Sequence, residues 1–275
     1  MQNLNKYFKN KSVLVTGHTG FKGSWLSIWL TYLGAKVIGI SNEVLTKPSN
    51  FEIVKLNKKI NHNIVDIRNH KKFHNIIKKH KPDFIFHLAA QSLVLSGYKK
   101  ILNTYKTNFL GTINIIEASK ISKSTKALLI TTTDKVYKNK GKNMFFNEKS
   151  ELGGKDPYSA SKAACEIAIQ SYIKSNLTNH VNLASMRAGN VIGGGDYASN
   201  RLMTDLIYHF QRKNKKHKLI IRNPNAIRPW QYVLDVVNGY ILLAEKLYFN
   251  KKFVGSFNFG PNKSLIKIKV KKNQD

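Results

Sequence analysis

The 275-residue chain holds a single cysteine, Cys165. That excludes an intrachain disulfide and makes a reducing compartment, the cytoplasm, the expected setting. Long hydrophobic runs are missing too. No stretch approaches the roughly 20 apolar residues that a membrane-spanning helix needs. Met1 to Lys11 is polar and basic, and the next apolar run is only Val13–Val15, so no secretory leader is read there. Acidic residues are scarce, with Asp+Glu at 15 against Lys+Arg at 46, a formal charge of +31. The basic residues run from Lys6 to Lys272 without gathering into one nucleic-acid-binding module. We expect a solvated basic surface, anionic substrates, and only weak, salt-sensitive and sequence-independent contact with DNA. No metal centre is expected. His70 and His74 stand four apart on a basic helix, but no glutamate lies between them and no third ligand lies near.

What is present is 42% hydrophobic residues, enough for a sizeable core, arranged as strands alternating with helices. Strands are expected at Ser12–Thr16, Lys36–Ile40, Ile64–Val65 (ending at Asp66), Phe84–Ala89, Ala127–Thr131 and Val181–Met186. Helices are expected at Phe21–Leu33, Asn69–His80, Ile101–Ser119 and Tyr158–Lys174. This rhythm predicts a doubly wound parallel sheet over residues 1–190. From Val191 it changes: a Gly193-Gly194-Gly195 loop, a helix at Arg201–Arg212, a strand at Leu219–Arg222, and a stretch rich in Pro, Asn and Arg up to Trp230. Helix Val233–Tyr248 and strand Phe257–Phe259 follow. Residues 191–275 are expected to form a smaller substrate lobe, interleaved with the first domain.

Two motifs carry chemistry. Thr16-Gly17-His18-Thr19-Gly20-Phe21-Lys22-Gly23 lies between a strand and a helix, where a dinucleotide-binding turn belongs. Glycines let the backbone approach a pyrophosphate, and the helix N-terminus offers free N–H groups and positive dipole. The acid that usually meets the adenosine ribose is not evident, because the second strand ends Gly39-Ile40-Ser41-Asn42-Glu43. No arginine stands there for a 2′-phosphate either, so NAD is favoured only modestly over NADP. Asp66-Ile67 suits an adenine contact, and Asp66 suits a helix-initiating acid equally well.

The second motif is Tyr158-Ser-Ala-Ser-Lys162, which puts both end residues on one helical face. A free tyrosine titrates near about 10 and is a poor base at neutral pH. An adjacent ammonium and a positive nicotinamide would favour its phenolate. The helix follows a strand ending in Thr131-Thr132-Thr133. We read His18 as filling the turn and Cys165 as packing its helix.

Together these motifs resemble the extended short-chain dehydrogenase/reductase superfamily, over about Ser12 to Pro261. Within it, Gly20-Phe21-Lys22-Gly23-Ser24-Trp25 is similar to the cofactor turn of the CDP-glucose 4,6-dehydratases. So, in order, are His87-Leu88-Ala89-Ala90-Gln91, Thr107-Asn108, Thr132-Thr133-Asp134-Lys135-Val136-Tyr137, Arg187 through Asp196, and Arg228-Pro229-Trp230-Gln231. The resemblance implies a Rossmann-type fold and an NAD-dependent lyase of deoxysugar biosynthesis in polysaccharides such as lipopolysaccharide. Tyr158 would deprotonate the sugar 4-hydroxyl, Lys162 would hold the nicotinamide ribose, and Thr133 would bond the 4-oxygen. Asp134 would protonate the departing 6-hydroxyl. Lys135 would take the C5 proton, kept neutral by desolvation. The resemblance places Gly17, Thr19, Gly20, Phe21, Lys22, Gly23, Asp66, Ile67, Leu88, Ala89, Ala90, Gln91 and Thr131, with Tyr158 and Lys162, on the cofactor. It places Gln91, Asn190, Arg201, Arg222, Arg228 and Gln231 on the nucleotide sugar, and it implies a dimer or tetramer.

Two departures stand out. Leu95-Ser96-Gly97-Tyr98 lacks the family's basic residue. The family's chains also continue well past Asn258-Phe259-Gly260-Pro261, so a truncated C-terminal lobe is expected here. The competing readings are a sugar-nucleotide epimerase, which has no use for the Asp134-Lys135 pair, and a weakly active or non-catalytic remnant.

Overall fold

The computed structural model describes residues 7–141, 145–211, 221, 224, 226 and 228–261. Seven strands form one sheet: β1 Ser12–Thr16, β2 Lys36–Ser41, β3 Asn61–Ile64, β4 Phe84–His87, β5 Ala127–Thr131, β6 Asn182–Ala188 and β9 Gly255–Phe259. All neighbours pair in parallel, in the order β3-β2-β1-β4-β5-β6-β9. Chain direction across the sheet reverses between β1 and β4. In open α/β sheets that switch point, at the carboxyl ends of the strands, forms the ligand crevice. Two further strands, β7 Asn190–Ile192 and β8 Trp230–Tyr232, make a small parallel pair of their own.

The inner strands β1, β4 and β5 are apolar on both faces because helices cover both. Val13 and Val15 of β1 face one core and Leu14 the other; Phe84 and Phe86 alternate with Ile85 in the same way. Helices α1 (Phe21–Tyr32) and α8 (Val233–Phe249) close the first core through Leu26, Leu30, Val237 and Ile241. Helices α2 (His70–His80), α5 (Gly111–Ser119) and α6 (Pro157–Lys174) close the second through Phe73, Ile77, Ile115 and Ile169. Among the described residues no helix is long and apolar enough to cross a membrane.

Several expected elements are redrawn. The third strand runs Asn61–Ile64, earlier than its apolar end suggests. It is an edge strand with exposed or half-exposed residues, so its polar pattern hides it. The fourth ends at His87, because Leu88 to Ala90 turn into the crevice. The single helix expected at Ile101–Ser119 is α4 (Ile101–Tyr105), a π-helical turn at Lys106–Leu110, and α5. A short helix, α3 (Val94–Lys99), was not expected. Helix α7 covers Leu202–Gln211. Of the strand expected at Leu219–Arg222 only Ile221 is described, outside any strand; the rest, Arg222 included, lies outside the described residues.

Candidate active site

The turn after β1 is built by close approach. Gly17 has φ +75, and a Cβ there would lie 2.7 Å from the Ala89 amide nitrogen. A Cβ on Gly23 would lie 2.1 Å from the Gly17 carbonyl oxygen. The Thr16 hydroxyl accepts from the Ala89 amide at 3.1 Å and meets His87 Nδ1 at 2.7 Å, tying the turn to the end of β4. Burial pushes His87 down to about 3, so it stays a neutral hydrogen-bonding ring. On the other side Thr19 Oγ1 donates to the Glu43 carbonyl at 2.7 Å. Helix α1 opens at Gly20 with no side-chain cap and no acid in its first turn. Its first N–H groups and dipole thus face the crevice unanswered by any side chain of the helix, which suits a pyrophosphate. These glycines, the uncapped helix end and a first turn without an acid together fit a dinucleotide.

At the adenosine side, Asp66 is bound to Arg68 through its guanidinium and backbone amide, which hold the carboxyl below its usual range. Ile67 is buried in the second core. His18 is fully buried, shares a 2.7 Å hydrogen bond with His62 and sits over Gly39. Cys165 packs inside α6, its thiol donating to the carbonyl of Asn108.

The chemistry-bearing residues meet at the ends of β5 and β6. Thr133 caps the 3-10 turn Asp134–Val136, and its hydroxyl donates to Asp134 Oδ1 at 3.0 Å. Burial holds the Asp134 carboxyl above its ordinary range, against the opposing pull of Lys135, Thr133, Arg228 and Lys22. A Cβ on Gly189 would lie 3.2 Å from Asp134 Oδ2 and 2.8 Å from the Pro229 side chain, so three of the sequence motifs converge there. Tyr158, in the first turn of α6, is buried. Burial pushes its phenol up to about 12, with the Thr133 hydroxyl pulling the other way. Lys162 lies one turn on, with Nζ donating to the Thr131 carbonyl at 3.0 Å. Burial lowers its pKa. Lys22 reaches from α1 toward the same place. Burial and the charges of Arg201 and Lys162 lower it to about 8, while Asp134 opposes them.

The geometry corrects one expectation. Lys135 is exposed, 6.0 Å from the Tyr158 ring centroid, so the described residues do not supply the desolvation expected for it. For Tyr158, burial opposes the phenolate in the protein alone. Other expected residues are engaged by the protein itself. Gln91 donates to Thr104 and accepts from the Leu93 amide. Gln231 donates to the Phe259 carbonyl at 2.8 Å. Arg201 pairs with Asp196 at 2.7 Å. Arg228 stands exposed beside Pro229, and Asn190 opens β7. Sequence reasoning missed Glu166. Its signal was the four-residue step beyond Lys162, which puts an acid on the buried face of the same helix.

The model of the NAD dependent epimerase/dehydratase family matches residues 13–258. The chain is 45% identical over 262 residues to the CDP-glucose 4,6-dehydratase of Salmonella typhimurium, covering 93% of this chain and 72% of that one. It is 32% identical over 268 residues to the dTDP-D-glucose 4,6-dehydratase of Dictyostelium discoideum, covering 90% and 58%. Among solved structures, the dTDP-glucose 4,6-dehydratase of Bacillus anthracis in complex with NAD superimposes with a TM-score of 0.75 at 25% identity, covering 92% and 76%. A crevice built for a dinucleotide, facing Tyr158, Lys162 and Asp134, and a match across nearly the whole chain lead to one conclusion: the chain belongs to the NAD-dependent epimerase/dehydratase family.

Proposed function

We propose that this chain dehydrates CDP-glucose to CDP-4-keto-6-deoxyglucose, an early step of deoxysugar biosynthesis, as a cytoplasmic homo-oligomer. The observation that carries the reading is the half-buried Asp134 carboxyl, raised above its ordinary range by desolvation, at the crevice mouth beside Tyr158 and Lys135. Oxidation at C4 needs only a base, whereas loss of water across C5 and C6 also needs an acid. The similarity to the Salmonella enzyme supplies the nucleotide.

NAD, when bound, would supply the hydride acceptor for C4 and the hydride donor for C6. Gly17, Thr19, Gly20, Phe21, Lys22 and Gly23 would hold its pyrophosphate, with Leu88, Ala89, Ala90 and Thr131 along its nicotinamide half and Asp66 and Ile67 toward the adenine. Tyr158 removes the 4-hydroxyl proton. A bound nicotinamide would supply positive charge that favours the phenolate against burial. Thr133 holds the 4-oxygen. The new ketone acidifies C5, Lys135 takes that proton, and Asp134 gives its own to the departing 6-hydroxyl. Lys135 becomes an effective base once bound sugar covers it and removes water. Hydride returned to C6 and a proton returned to C5 complete the product. Asn190, Arg201, Arg228 and Gln231 would receive the nucleotide diphosphate, Arg201 and Gln231 by exchanging their present partners. Residues 1–190 would serve as the cofactor domain and 191–275 as the substrate lobe, interleaved so that α8 and β9 complete the first domain's core and sheet. Exposed Leu95, Leu102 and Ile167 support a subunit contact through α3, α4 and α6.

The test separates the two halves of the reaction. Asp134→Asn should still reduce NAD with CDP-glucose present, and the 4-keto-glucose intermediate should accumulate. Product formation should fall about 10²–10⁴-fold, the usual cost of losing one general acid. Tyr158→Phe should suppress NADH and product together. Normal product formation by Asp134→Asn would remove Asp134 as the acid. A parent chain that never reduces NAD would favour the remnant reading.

A further inference from the structure

Beneath the site lies a charged pair that the chemistry above does not use. Glu166 of α6 and Arg187 of β6 are both fully buried and meet at 2.6 Å. Burying two charges costs several kcal/mol per ion, and such pairs are often no more stabilising than apolar residues of similar size. Apart from the buried Arg187 Nε, which has no partner among the described residues, the polar atoms of this pair are well partnered, and the partners are not scattered. Glu166 accepts from the hydroxyls of Thr132, Ser185 and Ser256. Arg187 donates to the Tyr137 hydroxyl at 2.9 Å and to the Glu148 carbonyl at 3.1 Å, and its guanidinium lies 5.2 Å from the Tyr137 ring centroid. Tyr137 donates onward to Asn258 of β9.

Thr132 immediately precedes the Thr133–Val136 segment and Tyr137 immediately follows it. One member of the ion pair therefore grips each end of the segment that carries Thr133, Asp134 and Lys135. The carboxylate that grips the first end belongs to α6, one turn beyond Lys162 and two beyond Tyr158. The backbone adds a second tie at the first end, where the Thr132 amide donates to the Met186 carbonyl at 2.9 Å.

We infer that Glu166 and Arg187 are positioning residues, a buried clamp that locks the elimination segment to the oxidation helix so that phenol and acid address C4 and C6 of one sugar. The inference rests on the dehydratase reading for its catalytic consequence, but the clamp itself is a property of this chain. A misplacement of about 1 Å in a catalytic group can cost on the order of 10²-fold in rate. The geometry also predicts which half of the reaction feels the loss. Tyr158 and Lys162 are held by their own helix, whereas Asp134 and Lys135 depend on the clamp.

The test uses small changes at the two grips, Thr132→Val and Tyr137→Phe, with Thr132→Ser as the conservative variant and Glu166→Gln as the direct one. Amide exchange read by mass spectrometry across residues 131–138 should rise about tenfold in Thr132→Val and Tyr137→Phe, with β1 and β4 unchanged. In turnover with CDP-glucose, kcat for the keto-deoxy product should fall about 10- to 100-fold at nearly constant KM. NADH should accumulate, because oxidation then outruns elimination. Thr132→Ser should restore both readouts. Glu166→Gln should show the same partition if it folds, and the grip variants decide the matter if it does not. Unchanged exchange over 131–138, or oxidation and elimination falling together with the melting temperature, would overturn the clamp. A parent chain that makes no keto product defeats the dehydratase reading instead, and the exchange measurement then decides the clamp alone.

Discussion

Tyr158 and Lys162 were legible as a pair because a four-residue step fixes two side chains on one helical face whatever surrounds them. Their protonation was not legible. Burial pushes Tyr158 up to about 12, and Lys162 is occupied by the Thr131 carbonyl. The expected phenolate rested on an adjacent ammonium together with a positive nicotinamide, and burial opposes it in the protein alone. Lys135 fails in the opposite direction: the residue type was readable, while its exposure depends on what covers the end of β5. The glycines of the turn are the most local case. A side chain on Gly23 would meet the Gly17 carbonyl oxygen at 2.1 Å, against backbone that cannot move without distorting the turn. Gly23→Ala should therefore weaken NAD binding at least tenfold in a fluorescence or calorimetric titration, more than it lowers the melting temperature. Unchanged NAD affinity would show that this turn does not hold the pyrophosphate.

At the scale of elements, α6 is the most sharply punctuated. Asp156 accepts from the amides of Tyr158 and Ser159 at 3.0 and 3.1 Å, and the Ser159 hydroxyl accepts in turn from the Asp156 amide, with Pro157 opening the helix. This capping box fixes the turn on which Tyr158 sits. Asp156→Ala should cost about 1 kcal/mol, a fall of about 2–4 °C in Tm for a domain of this size. It should also lower kcat several-fold, since Tyr158 loses its anchor; thermal melting and steady-state turnover read the two effects, and a lower Tm with unchanged kcat would separate cap from catalysis. The helix expected at Ile101–Ser119 shows what periodicity misses. Its π-helical turn at Lys106–Leu110 turns Asn108 inward, where it bonds Gln91 and Ser161. The Asn108 carbonyl accepts from the Thr112 hydroxyl and the Cys165 thiol. A single extra residue in a helical turn leaves the hydrophobic pattern nearly intact, so only the backbone hydrogen bonds reveal it.

Across the whole molecule, two buried histidines make stability depend on pH. Burial lowers His18 to about 4, with the neighbouring His62 adding to the shift, and lowers His87 to about 3. An unfolded chain takes up protons at both near the ordinary value of about 6.5, and the folded chain does not until well below it. Folded stability should therefore be level above neutrality and fall as pH drops from about 6.5 toward 4. The slope is about 1.4 kcal/mol per pH unit for each histidine. Denaturant melts at pH 7, 6 and 5 should show the loss, and His87→Gln should make the slope shallower. A midpoint constant over that range would contradict this account.

The sequence by itself determined the parallel alternation, the cofactor turn, the Tyr158–Lys162 step and the Asp134–Lys135 pair, because each rests on residues within a turn or two of one another. Close spacing constrains geometry directly: a period of 2 or 3.6, a glycine where backbones touch, a cap before a helix. Only the tertiary structure decided that β9 returns beside β6, that Gly189 and Pro229 close on Asp134, and that Glu166 and Arg187 join the two ends of the catalytic segment. Those contacts link residues many tens of positions apart. Their chemistry depends on burial, which no local pattern encodes: the same glutamate four residues after a lysine is a solvated charge on an exposed helix and an ion-pair partner on a covered one.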